Sequence, residues 1–105
     1  MISSVEEALT QLNKTEGALF SKIMEHGTMS FEIYRPAYAD HQTPHLQDEL
    51  YVVISGSGCF VNNGERAAFQ QGDVLFVPAG TDHRFENFTD DFLTWVIFYG
   101  PQNGE

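Results

Sequence analysis

Cysteine is almost absent from this chain of 105 residues. Cys59 stands alone, so no intrachain disulfide can form and packing must hold the fold together. A single thiol suits a reducing compartment, and a cytoplasmic location is expected. Basic residues are also scarce. Lys and Arg number 5 against 15 Asp and Glu, a formal net charge of −10. Phosphate recognition needs a cationic face, so nucleic acid is not an expected partner, and an anionic membrane surface is disfavoured for the same reason. Long hydrophobic runs are missing too. The longest apolar stretch lies near residues 92–99, far too short to cross a bilayer, so no membrane partner is expected. The first ten residues hold two Glu and no basic cluster, and no signal peptide is expected. No linker, low-complexity tract or internal repeat appears.

What the chain does have is apolar material. Hydrophobic residues make up 42% and Phe alone occurs nine times, enough for one small core and too much for a disordered chain. Val5, Ala8, Leu9 and Leu12 fall at helical spacing behind a Ser3/Glu6 or Ser4/Glu7 capping box. Residues 1–16 therefore read as a helical segment that packs on the remainder, residues 17–105. That remainder reads as strands and turns. Segments 18–25 and 28–35 flank His26-Gly27, a hairpin signal, and Asn63-Gly64 is a stronger one. Further strands are expected at 49–55, 59–61, 65–70, 74–77, 83–88 and 92–99, with Gly56-Ser57-Gly58 and Pro78-Ala79-Gly80 as breaks. About eight short strands with little helix mean an antiparallel sandwich or barrel. The stretch 50–54 is apolar on both faces and needs two covers, one of them the core and the other an opposite sheet or a partner chain.

Few polar residues sit where chemistry would need them. His45 and Glu49 are four apart, so on an extended segment they share a face. His83 follows the Pro78-Ala79-Gly80 turn where a strand begins. Two imidazoles and a carboxylate converging in a barrel would make a metal site with open positions for substrate. Unrelated surface residues are the plainer reading of such a trio.

At fixed offsets the chain resembles the cupin superfamily. Gly72, Pro78, Gly80, His83 and Asn87 reproduce its second motif in full. The second half of its first motif is present as His45, Glu49 and Gly56, but Ala37 and Thr43 stand where a Gly and a His belong. The resemblance implies an all-β fold, a double-stranded β-helix or jelly-roll barrel with a short N-terminal helix. It implies a divalent transition metal, Fe, Mn, Ni or Zn, held by His45, Glu49 and His83. With nothing equivalent at Thr43, His41 or Gln47 is a candidate fourth ligand. Gln47 shares the strand parity of His45 and Glu49, and His41 lies in a loop that could bring it inward.

Three further residues are candidates for a substrate pocket. Arg35 ends a strand and could pair with a carboxylate or phosphate, the alternative being a surface position. Tyr51 shares the parity of Glu49, and Phe85 that of His83. The resemblance implies a small-molecule ligand and chemistry of dioxygenase or isomerase type, the alternative being a non-catalytic module that binds a metal or a metabolite. A homodimer formed through a sheet is expected. Both imidazoles must be neutral to bind metal, so affinity should fall as pH drops from about 7 to about 5.

Overall fold

The computed structural model describes residues 2–37, 40 and 44–105. It opens with helix α1 (Val5–Asn13), whose N-cap Ser4 side chain accepts the Glu7 N–H at 3.1 Å. Eight strands follow among the described residues. They are β1 (Phe20–His26), β2 (Met29–Tyr34), β3 (Asp48–Ser55), β4 (Ser57–Asn62), β5 (Glu65–Gln70), β6 (Val74–Val77), β7 (His83–Glu86) and β8 (Leu93–Tyr99). They form two antiparallel sheets, one ordered β1-β2-β8-β3-β6 and the other β5-β4-β7. The fold is the barrel expected from the turn spacing. Strand edges move by one or two residues. The first hairpin turns at Gly27-Thr28 because His26 pairs with Met29. Only Gly56 interrupts β3 and β4, and β7 stops ahead of Asn87, whose φ of 50° is left-handed.

Two turns show why the sequence breaks where it does. Asn63 and Gly64 both have positive φ, 52° and 82°, the requirement of the tight hairpin turn that joins β4 to β5. Gly56 combines a φ of +86° with a close approach, since a Cβ there would lie 2.6 Å from the Phe92 Cα. No side chain fits at that corner.

The apolar residues divide into two layers. Tyr51, Val53, Phe60, Phe69, Val77, Phe85, Phe92 and Val96 pack between the sheets. Behind the larger sheet, Ala8 and Leu12 of α1 close over Ile33 and Leu93, with Ile54 and Trp95 at the margin. Alternation along β2 therefore turns Ile33 to the helix and Tyr34 to the barrel interior. On β8 the same rule turns Val96 and Phe98 inward, and Phe92 just ahead of the strand joins them. Toward the β6 edge the outer face of the larger sheet has no cover among the described residues. Val74 and Phe76 are 62% and 47% exposed there, and they pair across to Val52 and Leu50.

Candidate metal centre

Glu49 is the second residue of β3 and points into the barrel, where it is fully buried. His83 is the first residue of β7, on the other sheet, and is 2% exposed. Its Nδ1 lies 2.9 Å from the Thr81 carbonyl. A carbonyl can only accept, so Nδ1 carries a proton and the neutral ring presents a bare lone pair at Nε2. That Nε2 stands 3.0 Å from Glu49 Oε1. With Nε2 bare, neither it nor the two Glu49 oxygens meets a hydrogen-bond donor in this buried site. Two buried lone-pair atoms this close need a positive charge between them, a proton or a cation.

His45 offers the third candidate ligand atom. It lies ahead of β3, where the chain bends at Leu46 and Gln47, and its Nε2 comes within 3.9 Å of Glu49 Oε2. The three candidate ligand atoms lie within 4.8 Å of one another. Side-chain exposure is 34% for His45 against 1% for Glu49, so the site opens on the His45 side. The Phe98 ring meets His45 edge-on at 4.8 Å. Two imidazoles and one carboxylate, with orphaned lone pairs on His83 Nε2 and Glu49, fit a divalent cation, and the donor set suits Fe, Mn, Ni or Zn.

The pKa of His83 reflects a contest. Burial pulls it down. The Glu49 carboxylate, the bond to Thr81 and the charges of Glu49 and Asp40 push it up and prevail, so it lies above the usual imidazole value.

The remaining candidates are placed unevenly. Tyr51 and Phe85 lie beneath the imidazoles, with ring centroids 6.2 Å from Tyr51 to His83 and 4.8 Å from Tyr51 to Phe85. Both are essentially without solvent exposure, so they form a floor and not an open wall. Arg35 is on the other side of its sheet. It shares the Ile33 face and donates to Asn13 Oδ1 at 2.9 Å, at the end of α1. Gln47 is turned away from the carboxylate. Its amide donates to the Thr28 and Gly100 carbonyls, both at 3.0 Å. His41 and Thr43 lie outside the described residues.

Sequence reasoning missed a neighbouring pair. Asp40 is 8% exposed and accepts from Tyr34 Oη at 2.8 Å and from the Phe85 N–H at 2.7 Å. It thereby links β2 to β7. Burial, followed by the Asp40 charge and hydrogen bond and the more distant Glu49 charge, pushes the Tyr34 phenol far above its ordinary range. Asp40 sits in a connection with no periodicity to reveal it. Tyr34 was legible only as one face of β2.

A small antiparallel barrel with a buried two-His, one-carboxylate cluster at one end defines the class. The cupin domain family model matches residues 30–99, and the chain belongs to that family. An uncharacterized protein of Streptomyces coelicolor is 31% identical over 101 residues, spanning 94% of this chain and 95% of that one. A gentisate 1,2-dioxygenase from a Streptomyces species is 32% identical over 53 residues, half of this chain and 15% of the dioxygenase. A cupin-2 domain protein of Shewanella frigidimarina superposes with a TM-score of 0.69 at 15% identity, over 91% of this chain and 92% of that one.

Proposed function

We propose that this cupin holds a divalent transition metal with His45, Glu49 and His83 and acts on a small, uncharged, hydroxyl-bearing organic molecule, with dioxygenase- or isomerase-type chemistry. The observation that carries the metal is the set of buried, unpartnered lone pairs on Glu49 and His83. A metal bound there would supply Lewis-acid polarisation or, if redox active, an electron path to the ligand. The likeness of half the chain to a gentisate 1,2-dioxygenase supports the first of the two reaction types.

Charge supports the choice of ligand. All five Lys and Arg residues have their head groups outside the barrel. Lys14 caps α1, Lys22 pairs with Glu25, Arg35 donates to Asn13, and Arg66 and Arg84 flank Glu86. The barrel side of the site carries Glu49 and Asp40. A dication with these two carboxylates sums to zero, leaving no surplus positive charge for an anionic ligand. Tyr34 donates its proton to Asp40, so its oxygen is left to accept from a ligand hydroxyl. His45 borders the open side where a ligand would enter, and Tyr51 with Phe85 closes the floor.

Metal-loaded protein should therefore bind a neutral vicinal diol more tightly than a dicarboxylate of similar size, read by calorimetry. Replacing Asp40 by Asn should narrow or invert that preference. A tighter dicarboxylate in the wild type would contradict the ligand class. Diol binding without turnover under dioxygen would favour the non-catalytic module. We further propose that the chain is a homodimer joined through the uncovered outer face at Val74, Phe76, Leu50 and Val52, a patch without charge.

A further inference from the structure

We infer that Asp48 is a positioning residue of the metal centre: its buried carboxylate braces the segment carrying His45 and Glu49 against the turn that presents His83, and residues 100–105 strap this brace from outside. The inference rests on the metal site proposed above.

Asp48 and Glu49 are consecutive on β3, so their side chains leave opposite faces of the sheet. Glu49 enters the barrel. Asp48 goes behind it, 8% exposed, where Oδ1 accepts the Ala79 N–H at 2.9 Å and Oδ2 accepts the Glu105 N–H at 3.4 Å. Burying a carboxylate is costly unless donors meet it, and here backbone amides do so.

Three consecutive residues of the turn after β6 each tie to a different ligand-bearing piece. Ala79 donates to Asp48, the neighbour of Glu49. Gly80 donates to the His45 carbonyl at 2.7 Å. Thr81 accepts from His83 Nδ1 at 2.9 Å. His45 lies outside any strand, so pairing in a sheet does not fix it. These cross-ties do.

The strap reinforces the same segment. Asn103 donates to the Leu46 carbonyl. Gln47 donates to the Gly100 and Thr28 carbonyls, and Gly100 donates to Thr28 Oγ1 at 3.0 Å. Gly104 passes so close that an added Cβ would lie 3.0 Å from Asp48 Oδ1, at a φ of +83° that disfavours side chains. Ligand constellations lose function when held loosely by about an ångström, so such supports act on affinity directly.

The test is cobalt(II) titration of the full chain, reading affinity and the visible spectrum of the bound ion, with thermal unfolding run in parallel. Asp48→Ala should bind roughly ten- to a hundredfold more weakly, with an altered spectrum and the strand signal of the barrel intact. Asp48→Asn keeps an oxygen for Ala79 and should recover most of the affinity. Gly104→Val displaces the strap and should weaken binding several-fold. Leu12→Ala is the control, because it loosens α1 on the far side of the sheet and should lower Tm without changing cobalt affinity. The inference is overturned if Asp48→Ala binds with wild-type affinity and spectrum, or if Leu12→Ala weakens binding as much for the same loss of Tm. Should Asp48→Ala fail to fold, wild-type affinity in Gly104→Val overturns it equally. A wild type that binds no cobalt removes the metal reading itself, a separate result.

Discussion

His83 concentrates the chemistry at the scale of single residues. Its Nδ1 is committed to Thr81, and its Nε2 faces a buried carboxylate oxygen 3.0 Å away. Without metal the imidazolium is favoured by Glu49, which is why its pKa is raised. The sign follows from linkage. In the metal-free protein this contact stabilises the fold fully below the unfolded pKa of about 6.5, and the contribution is lost as pH rises through the higher folded value. Metal binding runs the other way, because the ring must be neutral. Affinity should therefore fall as pH drops through the neutral range, beginning above the value of about 6.5 expected for an ordinary histidine. Calorimetric titration across that range checks it, and affinity flat over the whole range would contradict it. His83→Ala should abolish binding while the strand signal in circular dichroism persists. The sequence offsets made His45, Glu49 and His83 legible as a group. They did not reveal the Thr81 carbonyl or Asp40, because a backbone acceptor and a loop carboxylate leave no periodic trace.

Among the elements, the turns were the most readable part of the chain. Asn63-Gly64, Gly56 and Pro78-Ala79-Gly80 break it because their backbone conformations exclude most residues. Which face of a strand is inner was harder. Alternation sets Arg35 on the same face as Ile33, and α1 packing on Ile33 puts that face outside, which is why Arg35 misses the barrel. The parity argument for Gln47 assumed an extended chain from residue 45 to residue 49, and the bend at Leu46 and Gln47 breaks it. Two element-scale outcomes follow. Leu12→Ala empties a fully buried site under α1 and should cost about 2–4 kcal/mol in denaturant unfolding. Gly56→Ala meets the Phe92 backbone at a disfavoured φ and should cost more than about 2 kcal/mol by the same measurement.

At the scale of the whole molecule, a net charge of −10 coexists with an uncharged apolar strip on one sheet. Strand β6 shows how the stretch 50–54, apolar on both faces, comes to need two covers. The core covers the inner side and α1 reaches Ile54, while Val74 and Phe76 stay exposed. The proposed dimer should convert to monomer in Phe76→Glu, measured by light scattering after gel filtration, because a buried carboxylate at the centre of the patch would lack a partner. A monomeric wild type would contradict it. All five Lys and Arg head groups lie on the outer surface, so the proposed metal would be the barrel's positive centre. Elemental analysis of protein purified without added metal, followed by refilling with Fe, Mn, Ni or Zn near pH 8, tests this most directly. About one equivalent of divalent metal per chain is expected in the wild type and next to none in a folded His83→Ala variant. A folded wild-type chain that takes up none of these metals would contradict it.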